Sequence, residues 1–131
     1  MIGYKSERYR DFGWASARID DLVNYIPARL TSFMYAVISR NTLRVLRITF
    51  RDASQHRSPN AGWPETSVAA SIGVKLSGPR IYEGVKTNDP WLNNDGRDPT
   101  GSDLFSGLKL FDRFLWAITF LLLLCSIISF L

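Results

Sequence analysis

The residues best suited to chemistry sit in one stretch, Arg51-Asp52-Ala53-Ser54-Gln55-His56-Arg57-Ser58-Pro59-Asn60-Ala61-Gly62-Trp63-Pro64-Glu65, which holds the only histidine of the chain. Pro59 and Pro64 each lock φ and remove a backbone donor. Asn60 and Gly62 tolerate turn geometry that other residues resist. Pro64-Glu65 reads as the first turn of a helix, with proline at the first helical position and an acid near the positive end of the dipole. A rigid polar loop that ends at a helix N-terminus suits an anion. The same residues also suit an ordinary helix–loop–helix connection.

A second candidate is Asp20-Asp21. Hard cations such as magnesium take carboxylates together with substrate phosphates. Aspartates at that place also serve as caps of a helix running on through Leu22, Val23, Tyr25 and Ile26. Other sites are excluded by the motifs they require. There is no GxxxxGK[ST] loop, no HExxH, no CxxC and no GxSxG. One histidine cannot build a histidine-rich metal site. Asp95, Gly96 and Asp98 resemble a calcium loop in composition only, and read as a turn. The single cysteine, Cys125, lies in an apolar run and reads as a small hydrophobe. No protein-bound cofactor is indicated by these residues.

The elements that must hold these groups are expected to be helices. The 131 residues suffice for one ordinary domain. Pro27 is expected to kink or break the helix that carries Asp20, Asp21, Asn24 and Arg29. Residues 19–39 read as membrane-embedded, crossing or re-entrant, because Leu30 to Ser39 is apolar but too short to span alone. Ionisable groups at that depth tend to mark function or pairing. Residues 41–55 read as a basic amphipathic helix, with Arg40, Arg44, Arg47 and Arg51 on one face and Leu43, Leu46 and Phe50 on another. That face suits anionic headgroups or a substrate phosphate or carboxylate. Glu65 to Val74 is a helix of small residues that a neighbour can approach closely. Residues 77–101 read as a long irregular loop, with Ser102 or Thr100 capping the last helix.

That last helix ends in eighteen uncharged residues, Phe114 to Leu131, the threshold for a transmembrane span. The formal net charge is +4, and the whole excess lies in residues 40–57, where five arginines face Asp52. Lys109 and Arg113 precede the span. The positive-inside rule therefore places residues 40–113 in the cytoplasm and Leu131 outside. A membrane span and the lack of a basic excess near the N-terminus argue against nucleic acid as a partner. The expected fold class is all-α: a multi-pass helical protein of the cell membrane, with 19–39 embedded, 40–113 a polar and irregular cytoplasmic region, and 114–131 transmembrane.

Three strings, taken in order, resemble one family. They are Gly3-Tyr4-Lys5…Glu7-Arg8-Tyr9…Phe12-Gly13-Trp14-Ala15-Ser16-Ala17-Arg18, then Asp20-Asp21-Leu22…Asn24-Tyr25-Ile26-Pro27-Ala28-Arg29-Leu30-Thr31, then Arg51-Asp52-Ala53…His56…Ser58-Pro59-Asn60-Ala61-Gly62-Trp63-Pro64-Glu65. The chain resembles the C-terminal half of the CobD/CbiB family of cobalamin-biosynthesis membrane proteins, the adenosylcobinamide-phosphate synthases. The resemblance implies an acid–amine ligase that joins a propionate carboxylate of the corrinoid adenosylcobyric acid to aminopropanol or its phosphate. It also implies ATP as activator with Mg2+, and a separate N-terminal half as partner beside the lipid bilayer.

Carried onto matched positions, the resemblance implies catalytic roles for Asp20, Asp21, His56 and Glu65. It implies substrate binding by Lys5, Arg8, Arg18, Asn24, Arg29, Arg51, Ser58, Asn60 and Trp63. Asp20 or Asp21 would hold the metal, His56 or Glu65 would take a proton from the amine, and Asn60 with the helix start after Pro64 would bind an oxyanion. The alternative function is a non-catalytic membrane regulator or sensor, or a partner subunit, of the same descent.

Overall fold

The computed structural model describes residues 10–82 and 85–130. The described residues form five α-helices: α1 (Arg10–Val23), α2 (Tyr25–Ile38), α3 (Thr42–Asp52), α4 (Gly62–Ile72) and α5 (Gly101–Ser129), with a 3-10 turn at Ala53–Gln55 after α3. Lys5 and Arg8 lie outside the described residues.

α1 and α2 form one interrupted rod. The interruption is at Asn24, and Pro27 is the physical reason. A proline ring collides with the carbonyl four residues earlier, which is that of Val23, the last residue of α1. Pro27 itself sits in the first turn of α2, where a missing N–H costs least. The backbone bonds Asn24 N–H to Asp20 O and Ala28 N–H to Asn24 O bridge the joint, each at 3.0 Å. Asp20 and Asp21 therefore lie inside α1, not at its cap.

α4 is the central helix and packs against both α2 and α3. Its buried face is Thr66, Ser67, Ala69 and Ala70. These small side chains let the neighbouring backbones approach, as the composition of this segment predicts. Ala36, Val45, Ile48 and Ala70 form one apolar cluster, where α2, α3 and α4 meet. Tyr35, Leu110 and Phe114 form a second, which joins α2 to α5. The Tyr35 and Phe114 rings stack with centroids 4.6 Å apart.

Two expectations about element ends are corrected. α4 begins at Gly62, so Pro64 is its third residue and not its first. α3 begins at Thr42, so Arg40 lies before the helix and leaves the face formed by the other arginines. The loop of 77–101 also contains ordered strands, so the fold is helical with two small β-ribbons. β1 (Leu76–Ser77) pairs antiparallel with β4 (Trp91–Leu92), and β2 (Arg80–Tyr82) with β3 (Val85–Thr87). Gly78 makes the first of these possible: its φ is +81°, and a Cβ there would sit 2.5 Å from the Trp91 ring.

Asn93 anchors this region. It adopts φ +54°, is fully buried, and donates through Nδ2 to the carbonyls of Ala69 and Val74 at 3.3 and 2.8 Å. Its own N–H reaches the buried carboxylate of Asp52 at 2.9 Å.

α5 starts with a capping box between Thr100 and Asp103. It is the one helix, among the described residues, long and apolar enough to cross a membrane. Leu121 to Leu124, Ile127, Ile128 and Phe130 are all exposed. The rod α1–α2 is also apolar on its outer side. Ile19, Leu22, Val23, Ile26, Leu30, Phe33 and Val37 are exposed and recur every three or four residues.

Candidate functional site

The loop before α4 folds onto the joint between α1 and α2, and Asn60 makes the connection. Its side chain is almost fully buried. Nδ2 donates to the Asp21 carbonyl at 2.8 Å, and Oδ1 accepts from Arg29 Nη1 at 2.7 Å. Arg29 also donates to the carbonyls of Tyr25 at 2.9 Å and Pro59 at 3.2 Å. Its guanidinium lies between two rings, 3.6 Å from the Tyr25 centroid and 4.7 Å from that of Trp63. A planar, weakly hydrated cation suits such a stack, and a lysine would not. Arg29 still has donors left on Nε and Nη2 after these bonds.

The turn itself is held by Ser58 and His56. Ser58 Oγ accepts from the backbone N–H of Asn60 and of Ala61, at 3.4 and 3.2 Å. The Ser58 N–H donates to His56 Nδ1 at 3.0 Å. Nδ1 is thereby assigned as the acceptor, which puts the ring proton of the neutral form on Nε2. Nε2 lies 3.6 Å from Glu65 Oε2. The His56 side chain is 13% exposed and that of Glu65 46% exposed. At this distance the two groups approach each other without a direct hydrogen bond. Gly62 is what lets them meet. A Cβ at that position would fall 2.3 Å from the Ala53 carbonyl oxygen and 2.6 Å from His56 Cβ.

Beside Arg29 opens a groove of about 470 Å³ between α2, α3 and Trp63. Its walls are apolar, chiefly Ile26, Leu30, Phe33, Leu46 and Phe50. Thr49 also lines it, and the Thr49 hydroxyl is a buried polar atom with no hydrogen-bond partner among the described residues. Ser32 Oγ ties α2 to the start of α4 by donating to the Trp63 carbonyl at 3.1 Å.

The carboxylates of Asp20 and Asp21 part company. Asp20 Oδ1 accepts from Asn24 Nδ2 at 2.9 Å. The Asp21 carboxylate has no partner among the described residues. Neighbouring helical positions point away from each other, so the pair does not close around one ion. No group of three or more His, Cys, Asp or Glu residues is placed to hold a metal, among the described residues. The donor set fits magnesium only in the form that keeps water and substrate phosphates as ligands, with Asp21 as the protein carboxylate.

Of the expected site residues, Asp20, Asp21, Asn24, Arg29, His56, Ser58, Asn60, Trp63 and Glu65 gather around the α1–α2 joint and the 56–65 turn. Two do not. Arg18 lies over Trp14, 5.7 Å from its ring, on an exposed part of α1. Arg51 belongs to a different network. It binds Asp52 through Nε and Nη2, at 2.6 and 2.9 Å, and Asp95 through Nη1 at 2.6 Å. Hydrogen bonds first to Asp52 and then to Asp95 raise its pKa further above the usual arginine range. Tyr25 and Thr49 were not expected at the site. The adjacency of Tyr25 to the Asn24 and Arg29 positions was the one available signal; Thr49 gave none.

The chain matches the CobD/Cbib protein family over residues 1–111. It belongs to the CobD/CbiB family. It is 51% identical over 128 residues to the cobalamin biosynthesis protein CobD of Rhodobacter capsulatus, covering 98% of this chain and 41% of that protein. A CobD of Brucella anthropi is 42% identical over 136 residues, covering 98% of this chain and 42% of the relative. A CobD of a Sinorhizobium species is 45% identical over 118 residues, covering 85% and 36%. The chain thus spans about two-fifths of the length of these CobD/CbiB relatives. No solved structure matches it. These relatives are named as cobalamin biosynthesis proteins.

Proposed function

We propose that the chain supplies the 19–65 portion of an adenosylcobinamide-phosphate synthase site, which forms an amide between adenosylcobyric acid and aminopropanol or its phosphate. The observation that carries this reading is the Asn60 bridge between the Asp21 carbonyl and Arg29. It joins two separate family strings into one polar cluster at the mouth of an apolar groove. The groove suits the apolar parts of a corrinoid, and the free donors of Arg29 suit a propionate or phosphate oxygen.

An amide does not form from a free carboxylate and an ammonium without activation. ATP with Mg2+, when bound, would supply that activation as phosphorylation of the propionate, and Asp21 would be the protein carboxylate that holds the ion. Arg29 orients the activated carbonyl. As the amine nitrogen bonds to that carbon and phosphate leaves, the amine must lose a proton. Glu65, backed by the ring proton of His56, accepts it at the open end of the cluster. Asn60, which keeps one Nδ2 hydrogen after its bond to the Asp21 carbonyl, is assigned with the start of α4 to the developing oxyanion.

Ile19, Leu22, Val23 and Val37, exposed on α1–α2 and outside the groove wall, support embedding of 19–39, in a multi-pass protein whose remaining helices come from the rest of the family sequence. The charge pattern supports a cytoplasmic location for the turn.

The test is complementation of a strain that lacks the enzyme. This chain alone should leave it unable to make cobinamide, and coexpression with a family N-terminal half should restore synthesis. In the restored system Asp21→Ala and His56→Ala should each lower turnover at least about tenfold while the protein accumulates normally. Wild-type turnover in both variants would overturn the assignment. Restoration of binding without turnover would favour the partner-subunit reading.

A further inference from the structure

A separate pocket of about 340 Å³ opens between the end of α2, the end of α4 and the first half of α5. Arg40, Lys109 and Arg113 line it with Ser39, Ser71 and Ser106, and no carboxylate does. Lys109 and Arg113 meet because they are four residues apart on α5, with Ser106 one turn earlier. Arg40 joins them because α3 starts only at Thr42. None of the three cations has an ion-paired or hydrogen-bonded partner among the described residues. Asp112, the nearest acid in the chain, forms no ion pair with them. Like charges at this spacing repel, and a third from another element adds to the repulsion. An anion in the pocket removes it.

The donors available are specific. Ser39 and Ser71 spend their hydroxyl protons on the carbonyls of Ala36 and Ser67, each at 2.6 Å. The guanidinium, ammonium and Ser106 hydroxyl groups remain, which is a set for tetrahedral oxygens. Leu110 and Ile72 supply an apolar wall. Position selects the source of the anion. Arg113 immediately precedes the uncharged run from Phe114, and the exposed Trp116 follows, an aromatic that favours the headgroup level. The pocket therefore lies where α5 enters the bilayer.

We propose that this pocket binds the phosphate of an anionic phospholipid headgroup, held by Arg40, Lys109 and Arg113. The site is separate from the Asn60 cluster and does not depend on the amide-forming reading.

The test is native mass spectrometry of the chain released from phosphatidylcholine nanodiscs that contain a minor fraction of phosphatidylglycerol. Phosphatidylglycerol should be retained in preference to phosphatidylcholine. Lys109→Gln/Arg113→Gln should cut that preference roughly tenfold or more, at about a fivefold factor per charge near an anionic surface. Arg57→Gln/Arg80→Gln removes the same charge from exposed positions outside the pocket and should leave the preference near wild type. Circular dichroism checks that both variants fold, and the single Lys109→Gln variant gives a graded loss if the double variant does not. Equal losses in the two double variants would mean general surface attraction and overturn the site. In a second arm, inorganic phosphate and glycerol phosphate are titrated into the chain in detergent. Tight binding of either, with no lipid preference, would overturn the lipid source and assign the pocket to a soluble phosphate.

Discussion

At the scale of single residues, Asn60 and Arg29 have the most to lose. Asn60→Ala strands the Asp21 carbonyl and one Arg29 donor in a nearly buried place. We expect a loss of about 1–3 kcal/mol, read as a lower unfolding temperature in detergent. Arg29→Lys keeps the charge but loses the fork and the stack between Tyr25 and Trp63, and should give a loss of similar size. Asp103 makes the stability depend on pH. Hydrogen bonds from Arg97, then from the Thr100 hydroxyl and backbone, hold its carboxyl well below the usual aspartate range. A depressed folded-state pKa means that its stabilisation is complete above the ordinary value near 4 and is lost as pH falls below it. Asp103→Asn should flatten the acid limb of a melting profile, and leave it unchanged at neutral pH apart from a constant offset.

At the scale of elements, the joints are more sensitive than the helices. Gly62→Ala drives a methyl into the Ala53 carbonyl and His56 Cβ. Neither is the end of a flexible chain, so the turn must move. A cost of about 1–3 kcal/mol is expected, with loss of the His56–Glu65 approach, visible as a changed histidine ring resonance. Thr100→Ala removes one side of the capping box of α5, at about 1 kcal/mol. The apolar half of α5 is far longer than the capped turn, so this variant should still insert.

At the scale of the whole molecule, burial is concentrated in α4 and its neighbours, while α5 and the outer side of α1–α2 expose apolar side chains. Beyond its first half α5 exposes its apolar run, and among the described residues it is the helix long and apolar enough to cross a membrane. A reporter fused after Leu131 should read external, and protease added to intact cells should spare the 56–65 turn. Cytoplasmic activity of that reporter would reverse the orientation.

Much of this was legible in the residues. The long apolar helix α5 follows from an uncharged run of membrane length, and the helices read at 41–55 and 65–74 from local periodicity and small-residue composition, with their ends set by the structure at 42–52 and 62–72. The three strings carried family membership because their order and spacing are covalent facts. Pro27 announced the joint in α1–α2, since its ring acts on a neighbour only four residues away. What the sequence left open depends on contacts between segments far apart in the chain. Arg40 parts from Arg44 and Arg47 because the helix starts at Thr42, and Arg51 is claimed by Asp52 and Asp95 through a loop more than forty residues on. The ribbons of 76–92 exist because Asn93 and Asp52 anchor them, and no local period signals that. Asn60 could be read as a turn residue from its neighbours alone. Only the packing of α4 against α2 brings its amide to Asp21 and Arg29, because a side-chain bridge across thirty-nine positions is set by tertiary distance and not by the chain.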